Sequence, residues 1–255
     1  MILALDMGNT NIVAGCLGDD DSIYFTERIS TDRNKTELEY AVLLKTILEL
    51  HDISGDDIKG AIIASVVPPL THILKNALRK LLNCEPLVVG AGIKTGLNIH
   101  LDDPSTLGAD LVVDSVAAMN IYGSPAIVID MGTATTITVI DKDNTYIGGA
   151  IFPGVNVSVE ALAAGTSLLP RVSLGAPKKH IATNTMDAIK SGIIYGEASR
   201  LDGMIDRFIE ELGYDAKVVA TGGLASVITP HCSHDITDDP ELMLKGLKIL
   251  YDKNN

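Results

Sequence analysis

With 255 residues, 46% of them hydrophobic, the chain is long enough for one large domain or two ordinary ones with well-formed cores. A formal charge of −13, 4% aromatic residues and no Trp argue against nucleic acid as a partner, because there is no basic stripe for a phosphate backbone and no aromatic platform for bases. Cys16, Cys84 and Cys232 form no close pair; with no basic leader and no run of membrane-spanning length, a cytoplasmic protein without a membrane partner is expected.

In chain order, Ile2 to Leu5 is an apolar run that ends at Asp6. Gly8 and Asn9 turn the chain, and a second apolar run follows from Ile12 to Gly15. This predicts a β-hairpin whose first strand is buried. Asp19-Asp20-Asp21-Ser22 reads as a turn and Ile23–Ile29 as a third strand. Thr36 and Glu39 have the spacing of a capping box, and Leu38, Val42, Leu43, Ile47 and Leu50 then mark a helix. Gly60–Val67 predicts a strand stopped by Pro68-Pro69. A helix over 70–82 and a strand over 86–89 follow.

The grammar then repeats. Ala126–Val139 is again an apolar run, a polar turn and an apolar run, and Asp130 follows Asp6 by 124 residues, about half the chain. Tyr146-Ile147 predicts a strand, Gly148–Gly154 a link, and 156–165 and 185–211 two helices, the second starting after Asn184. Lys217–Gly223 stands where Ala61–Val67 stands in the first copy, so the second copy is longer by an insertion around Gly154–Asn184. A closing helix over 240–250 has Asp239 as its cap and Pro240 in its first position. A helix over Leu107–Tyr122 would bridge the halves, which gives domains 1–112 and 113–255, each an α/β unit with a mixed sheet. His231-Cys232-Ser233-His234 stands alone and reads as a solvated loop.

A turn of small residues lets backbone N–H groups approach an anion, and a carboxylate beside it can hold Mg²⁺. Two such turns facing one another would clamp the phosphates of a nucleotide. A single Asp-x-Gly has a plainer reading, a carboxylate that closes its own turn. The repetition favours the first reading. It makes Asp6, Gly8, Asn9, Thr10 and Asn11 in one turn, and Asp130, Gly132, Thr133, Ala134 and Thr135 in the other, candidate phosphate and metal residues, with Asp6 and Asp130 as metal ligands.

These residues resemble the superfamily of actin, sugar kinases and heat-shock ATPases, in which two ribonuclease H-like halves, each with a five-stranded mixed sheet, close over ATP. More narrowly the chain resembles type III pantothenate kinases. The matching stretches are Asp6–Thr10, Ser65–Pro68, Thr95-Gly96, Gly108–Asp110, Asp130–Thr135, Gly148-Gly149, Pro153-Gly154, Asn184-Thr185, Ser191-Gly192 and Thr221–Gly223. The resemblance implies a homodimer that uses ATP, Mg²⁺ and K⁺ or NH₄⁺ to phosphorylate pantothenate, the opening step of coenzyme A synthesis. It implies that Gly222 and Gly223 receive the nucleoside, that Asp110 is the general base, and that Leu101, Gly108, Ala109, Leu111 and Thr185 border the acceptor. From the residues alone, Asp110 reads rather as a helix N-cap, and the resemblance reverses that preference. Two positions depart from the pattern: Leu111 stands where an arginine commonly binds the pantothenate carboxylate, and Leu101 where a tyrosine is common.

Overall fold

β1 (Ile2–Met7) is the middle strand of the first sheet and is apolar throughout except for Asp6. It pairs antiparallel with β2 (Asn11–Leu17) on one edge and parallel with β4 (Gly60–Ser65) on the other, while β3 (Ile23–Ser30) and β5 (Leu87–Val88) complete the order β3-β2-β1-β4-β5. Ile2 to Leu5 and Gly60 to Ala64 are buried, as expected for strands covered on both faces. The computed structural model describes residues 1–255. By packing it forms two compact units: Met1–Gly96 with Asp103–Ala117 and Leu242–Asn255, and Leu97–Asp102 with Ala118–Glu241.

In the first unit, α1 (Glu37–Leu50) begins at the expected capping box: the Glu39 N–H donates to Thr36 Oγ1 at 3.4 Å, and the Thr36 N–H to Glu39 Oε2 at 2.7 Å. Its buried stripe differs from the expected one. Tyr40, Ala41, Leu44, Ile47 and Leu48 face the core, while Leu38, Val42 and Leu50 are 62%, 56% and 75% exposed. Two apolar stripes compete on this helix, and Tyr40 decides between them. Its hydroxyl donates to the Asp32 carbonyl at 2.8 Å and accepts the Asp32 N–H at 3.1 Å, so the ring is buried with its polar end satisfied. Pro68 and Pro69 also open α2 (Pro68–Leu81), at positions where a missing N–H costs nothing. Leu70, Leu74, Ala77 and Leu78 of α2 are buried as read from the sequence.

The second unit repeats the sheet and extends it. β7 (Ala126–Met131), β8 (Ala134–Ile140), β9 (Thr145–Pro153), β10 (Lys217–Thr221) and β11 (Thr237–Asp238) follow the arrangement of the first sheet. A sixth strand, β6 (Asn98–Ile99), lies parallel to β9 at the edge, so this sheet has six strands where five were expected. Two residues are too few to show a period. β9 is continuous through Gly148-Gly149: Val139 pairs with Gly148 and Ile140 with Tyr146, so Ile147 is the extra residue of a bulge, beside Gly148 at φ +129°. The registers also refine the repeat: Ala64 lies beside Asp6 and Thr221 beside Asp130, one residue from the alignment of Thr221 with Ser65. α4 (Val155–Ala164), α5 (Thr185–Leu212) and the short α6 (Ala225–Ile228) pack in this unit, with Ile194, Ala198, Leu201 and Ile205 of α5 in its core.

α3 (Ala109–Ile121) gives its residues through Ala117 to the first unit, and α7 (Leu242–Asn254) belongs there too, although it closes the sequence. The linear boundary between 112 and 113 follows the duplication, whereas packing returns α7 to β1 and β4. α7 starts two residues later than expected. The Asp239 carboxylate accepts the Glu241 N–H at 3.1 Å and the Tyr122 hydroxyl at 2.8 Å, holding the chain in a turn ahead of it. Gly246 seats α7 on α3: a Cβ there would lie 2.5 Å from the Val113 carbonyl oxygen and 2.7 Å from Val113 Cγ1. Gly246→Ala improves helix propensity by about 1 kcal/mol, yet it is expected to destabilise the protein by about 1–2 kcal/mol net through overpacking. A urea midpoint equal to or above that of the parent would show that the two helices separate freely.

Candidate active site

Asp6 stands at the carboxyl end of β1, half-buried, with Val13 and Ala64 as its strand neighbours. Gly8, Asn9, Thr10 and Asn11 form the turn, closed by the Gly8 N–H on the Asn11 carbonyl at 2.9 Å. The segment after β3 braces it. Thr31 Oγ1 donates to the Gly8 carbonyl at 2.7 Å, the Thr31 N–H to the Thr10 carbonyl at 2.9 Å, and Arg33 Nη2 to Asn9 Oδ1 at 3.2 Å. Sequence reading missed Thr31 and the exposed Arg33. The available signal was a basic residue directly after a strand that pairs with the turn's own strand.

The second turn is one residue shorter: Met131 pairs with Thr135, where Met7 pairs with Ile12. The Gly132 N–H donates to the Ala134 carbonyl at 3.0 Å, and the Gly154 N–H to the Thr133 carbonyl at 3.2 Å. Gly222, at φ +93°, follows β10 and lies against this turn. A Cβ there would come within 2.6 Å of the Met131 nitrogen and up against Asp130 Oδ1, so conformation and space both require glycine. Asp130, Gly132 and Gly222 are thus brought together in the second unit, with Gly223 exposed beside them. Thr135 is fully buried, unlike Gly132 and Thr133, which are exposed. Its hydroxyl points away from solvent, to Glu197 Oε1 at 3.4 Å.

Asp110 sits in the first turn of α3 in the first unit. Its Oδ1 accepts the Leu111 N–H at 2.8 Å and lies over Gly108, where any Cβ would strike it. That same Cβ would touch Val66, whose N–H donates to the Met7 carbonyl at 3.1 Å. Gly108, Ala109 and Asp110 therefore stand at the carboxyl ends of β1 and β4, the end that carries the first turn. Burial pushes the Asp110 carboxyl above its ordinary range, opposed by the Leu111 N–H. Leu111 is half-buried next to it. Of the remaining acceptor candidates, Leu101 is half-buried just after β6, and Thr185 is exposed at the first position of α5, which Asn184 caps by accepting the Asp187 N–H at 2.9 Å.

No three His, Cys, Asp or Glu side chains gather into a metal cage. Single carboxylates at strand ends fit Mg²⁺ nonetheless, because this ion keeps its waters and is usually held by one or two carboxylates together with substrate phosphates. Asp6 and Asp130 are of that kind. The His231–His234 stretch is only in part the solvated loop expected: His231 closes a 3-10 turn (Thr229–His231) and Cys232 packs half-buried against the core, while the Ser233 N–H donates to Asp202 Oδ2 at 2.8 Å.

With this geometry in place, the model of the type III pantothenate kinase family matches residues 2–207. The chain belongs to that family. Membership supports an ATP-dependent kinase. Among solved structures, the fold is shared with a Campylobacter jejuni protein assigned to the Baf family of transcriptional activators (21% identity, 99% of this chain and 98% of that one, TM-score 0.60). A Sinorhizobium meliloti protein assigned as a 2-dehydro-3-deoxygalactonokinase matches at 14% identity, 98% and 96% coverage and TM-score 0.60. The Clostridium difficile activator of 2-hydroxyisocaproyl-CoA dehydratase, solved with bound ADPNP, matches at 14% identity, 99% and 94% coverage and TM-score 0.56. At these identities the likeness establishes the actin-like ATPase fold. No helix is long and apolar enough to cross a membrane.

The raised pKa of Asp110 has a thermodynamic consequence. Because the folded value exceeds the unfolded one of about 3.9, ionisation disfavours the folded state. The cost is absent below the unfolded value and grows as pH rises from it through the folded one. Asp110→Asn keeps an acceptor for the Leu111 N–H and removes this cost. The variant is expected to unfold at higher urea than the parent at pH 7, with the difference vanishing below about pH 4. Equal midpoints at pH 7 would show that burial exerts no such strain.

Proposed function

We propose that the chain is a homodimeric, cytoplasmic kinase that transfers the γ-phosphoryl group of ATP to the primary hydroxyl of pantothenate, giving ADP and 4′-phosphopantothenate. The observation that carries the reading is Asp110, a half-buried carboxylate with a raised pKa, at the strand ends that bear the Asp6 turn. A primary alcohol is a poor nucleophile until a positioned base takes its proton, and a carboxylate tuned upward is better matched to that task. In this reading the hydroxyl proton passes to Asp110 as the oxygen–phosphorus bond forms and the bond to the ADP oxygen breaks. The backbone N–H groups of both turns hold the phosphates, and Gly222 and Gly223 leave the ligand room to approach the backbone. Asp6 and Asp130 would hold Mg²⁺, which neutralises charge on the phosphates; alignment and charge stabilisation supply most of the catalysis. A monovalent cation, K⁺ or NH₄⁺, completes the proposed requirements. Thr185 is proposed to reach the acceptor of the partner subunit, a role compatible with its exposure at the head of α5.

A second reading, the same chemistry on a different small hydroxylated compound, is favoured by Leu111 and Leu101. Neither offers the charge-assisted hydrogen bonds that fix a carboxylate, worth about 1.5–3 kcal/mol each. Lys94 and His100 are the basic side chains nearest in sequence that could take that part. Pantothenate should be turned over with ATP and Mg²⁺, faster with K⁺ or NH₄⁺ present, and an analogue lacking the carboxylate should be used less well. Equal use of both would favour the second reading, and no turnover with pantothenate under any cation would sink the first. Asp110→Asn should lower kcat by about 10²–10⁴-fold with little change in ATP binding; an unaltered kcat would remove Asp110 from the base role.

A further inference from the structure

Glu197, on the fourth turn of α5, is a charged side chain that the proposed chemistry does not use. It is only 7% exposed. One carboxylate oxygen accepts the hydroxyl of the fully buried Thr135, and the other pairs with Arg200 one turn further along α5. Arg200 in turn lies 4.5 Å over the ring of Phe152 and donates to the Pro153 carbonyl at 3.4 Å. Phe152 is the strand partner of Thr135, and Pro153 that of Ala134. The next residue, Gly154, donates its N–H to the Thr133 carbonyl. Three successive residues at the end of β9 are therefore tied to three successive residues of the second turn, and the Glu197–Arg200 pair touches both strands.

Glu197 is buried and Arg200 half-buried; such a pair adds little net stability, since desolvation offsets the attraction, so stability alone is a weak reason for this one. Its contacts have a narrower effect. They fix the rotamer of Thr135 and the separation of β8 from β9 at the point where the turn begins. We propose that Glu197, with Arg200, is a positioning residue that holds the second turn in the shape that receives phosphate. The proposal rests on the reading of that turn as a phosphate site.

Two measurements separate the proposal from that reading. In the ligand-free protein, Glu197→Leu should speed amide exchange at Thr133, Ala134 and Thr135 by at least about tenfold, with Glu197→Gln, which keeps an acceptor, falling between it and the parent. In kinetics, Glu197→Leu should raise KM for ATP about tenfold while KM for the acceptor stays within about twofold. Thr135→Val, which leaves the ion pair intact, should reproduce the ATP effect, and the pair of changes together should add little to either alone. It also serves where Glu197→Leu does not fold. Unchanged exchange in the turn, or a lowered melting temperature with KM for ATP unaltered, overturns the proposal and leaves Glu197 a structural residue. Parent protein that binds no ATP would instead sink the phosphate reading, while the exchange data still decide whether Glu197 holds the turn.

Discussion

The constraint on which everything else depends is the full hydrogen bonding of the two central strands, β1 and β7, each along both edges. Each is paired antiparallel with the next strand in sequence and parallel with a strand that arrives much later. A strand fixed on both edges and covered by apolar side chains cannot twist or slide without breaking a ladder and exposing its core. The turn at its carboxyl end inherits that rigidity. Asp6 and Asp130 are the half-buried residues just before the last, buried residue of each strand, so their positions follow from the register.

Around that frame the structure uses different devices to reach the same end. The first turn is longer and is braced by side chains from the segment after its own third strand, Thr31 and Arg33. The second turn is shorter and is braced by the backbone of Gly154, by the close seat of Gly222 and, behind it, by α5 through Glu197. A four-residue turn with two asparagines has polar side chains to engage, whereas Gly132-Thr133-Ala134 has few. The shorter turn therefore relies on close backbone approach and on the buried hydroxyl of Thr135.

Asp110 shows how one placement serves packing and chemistry together. Asp110 is the second residue of α3 and not its N-cap: its carboxylate accepts the N–H of the next residue, Leu111, rather than one two or three residues on. Folding back over Gly108 also buries it, which an ordinary surface cap avoids. The raised pKa that follows costs some folding stability and suits a group that must accept a proton.

Much of this was legible in the sequence because it depends on local order: the duplicated hairpins, the capping box at Thr36, the stripe on α2, the length of α5. What failed to show was whatever depended on the partner of an element. The face of α1 was decided by Tyr40 finding Asp32, the strand β6 by the free edge of β9, and the membership of α7 by the fit of Gly246 against Val113. Thr31, Arg33, Glu197 and the approach of Gly222 to Asp130 belong to the same class. The sequence by itself determined the repeat, its strands and the acidic residues at their ends, since period and turn chemistry are written in neighbouring residues. Only the tertiary structure decided which glycines and side chains press on the turns, because those contacts join residues dozens of positions apart, and nothing local records which surfaces will meet.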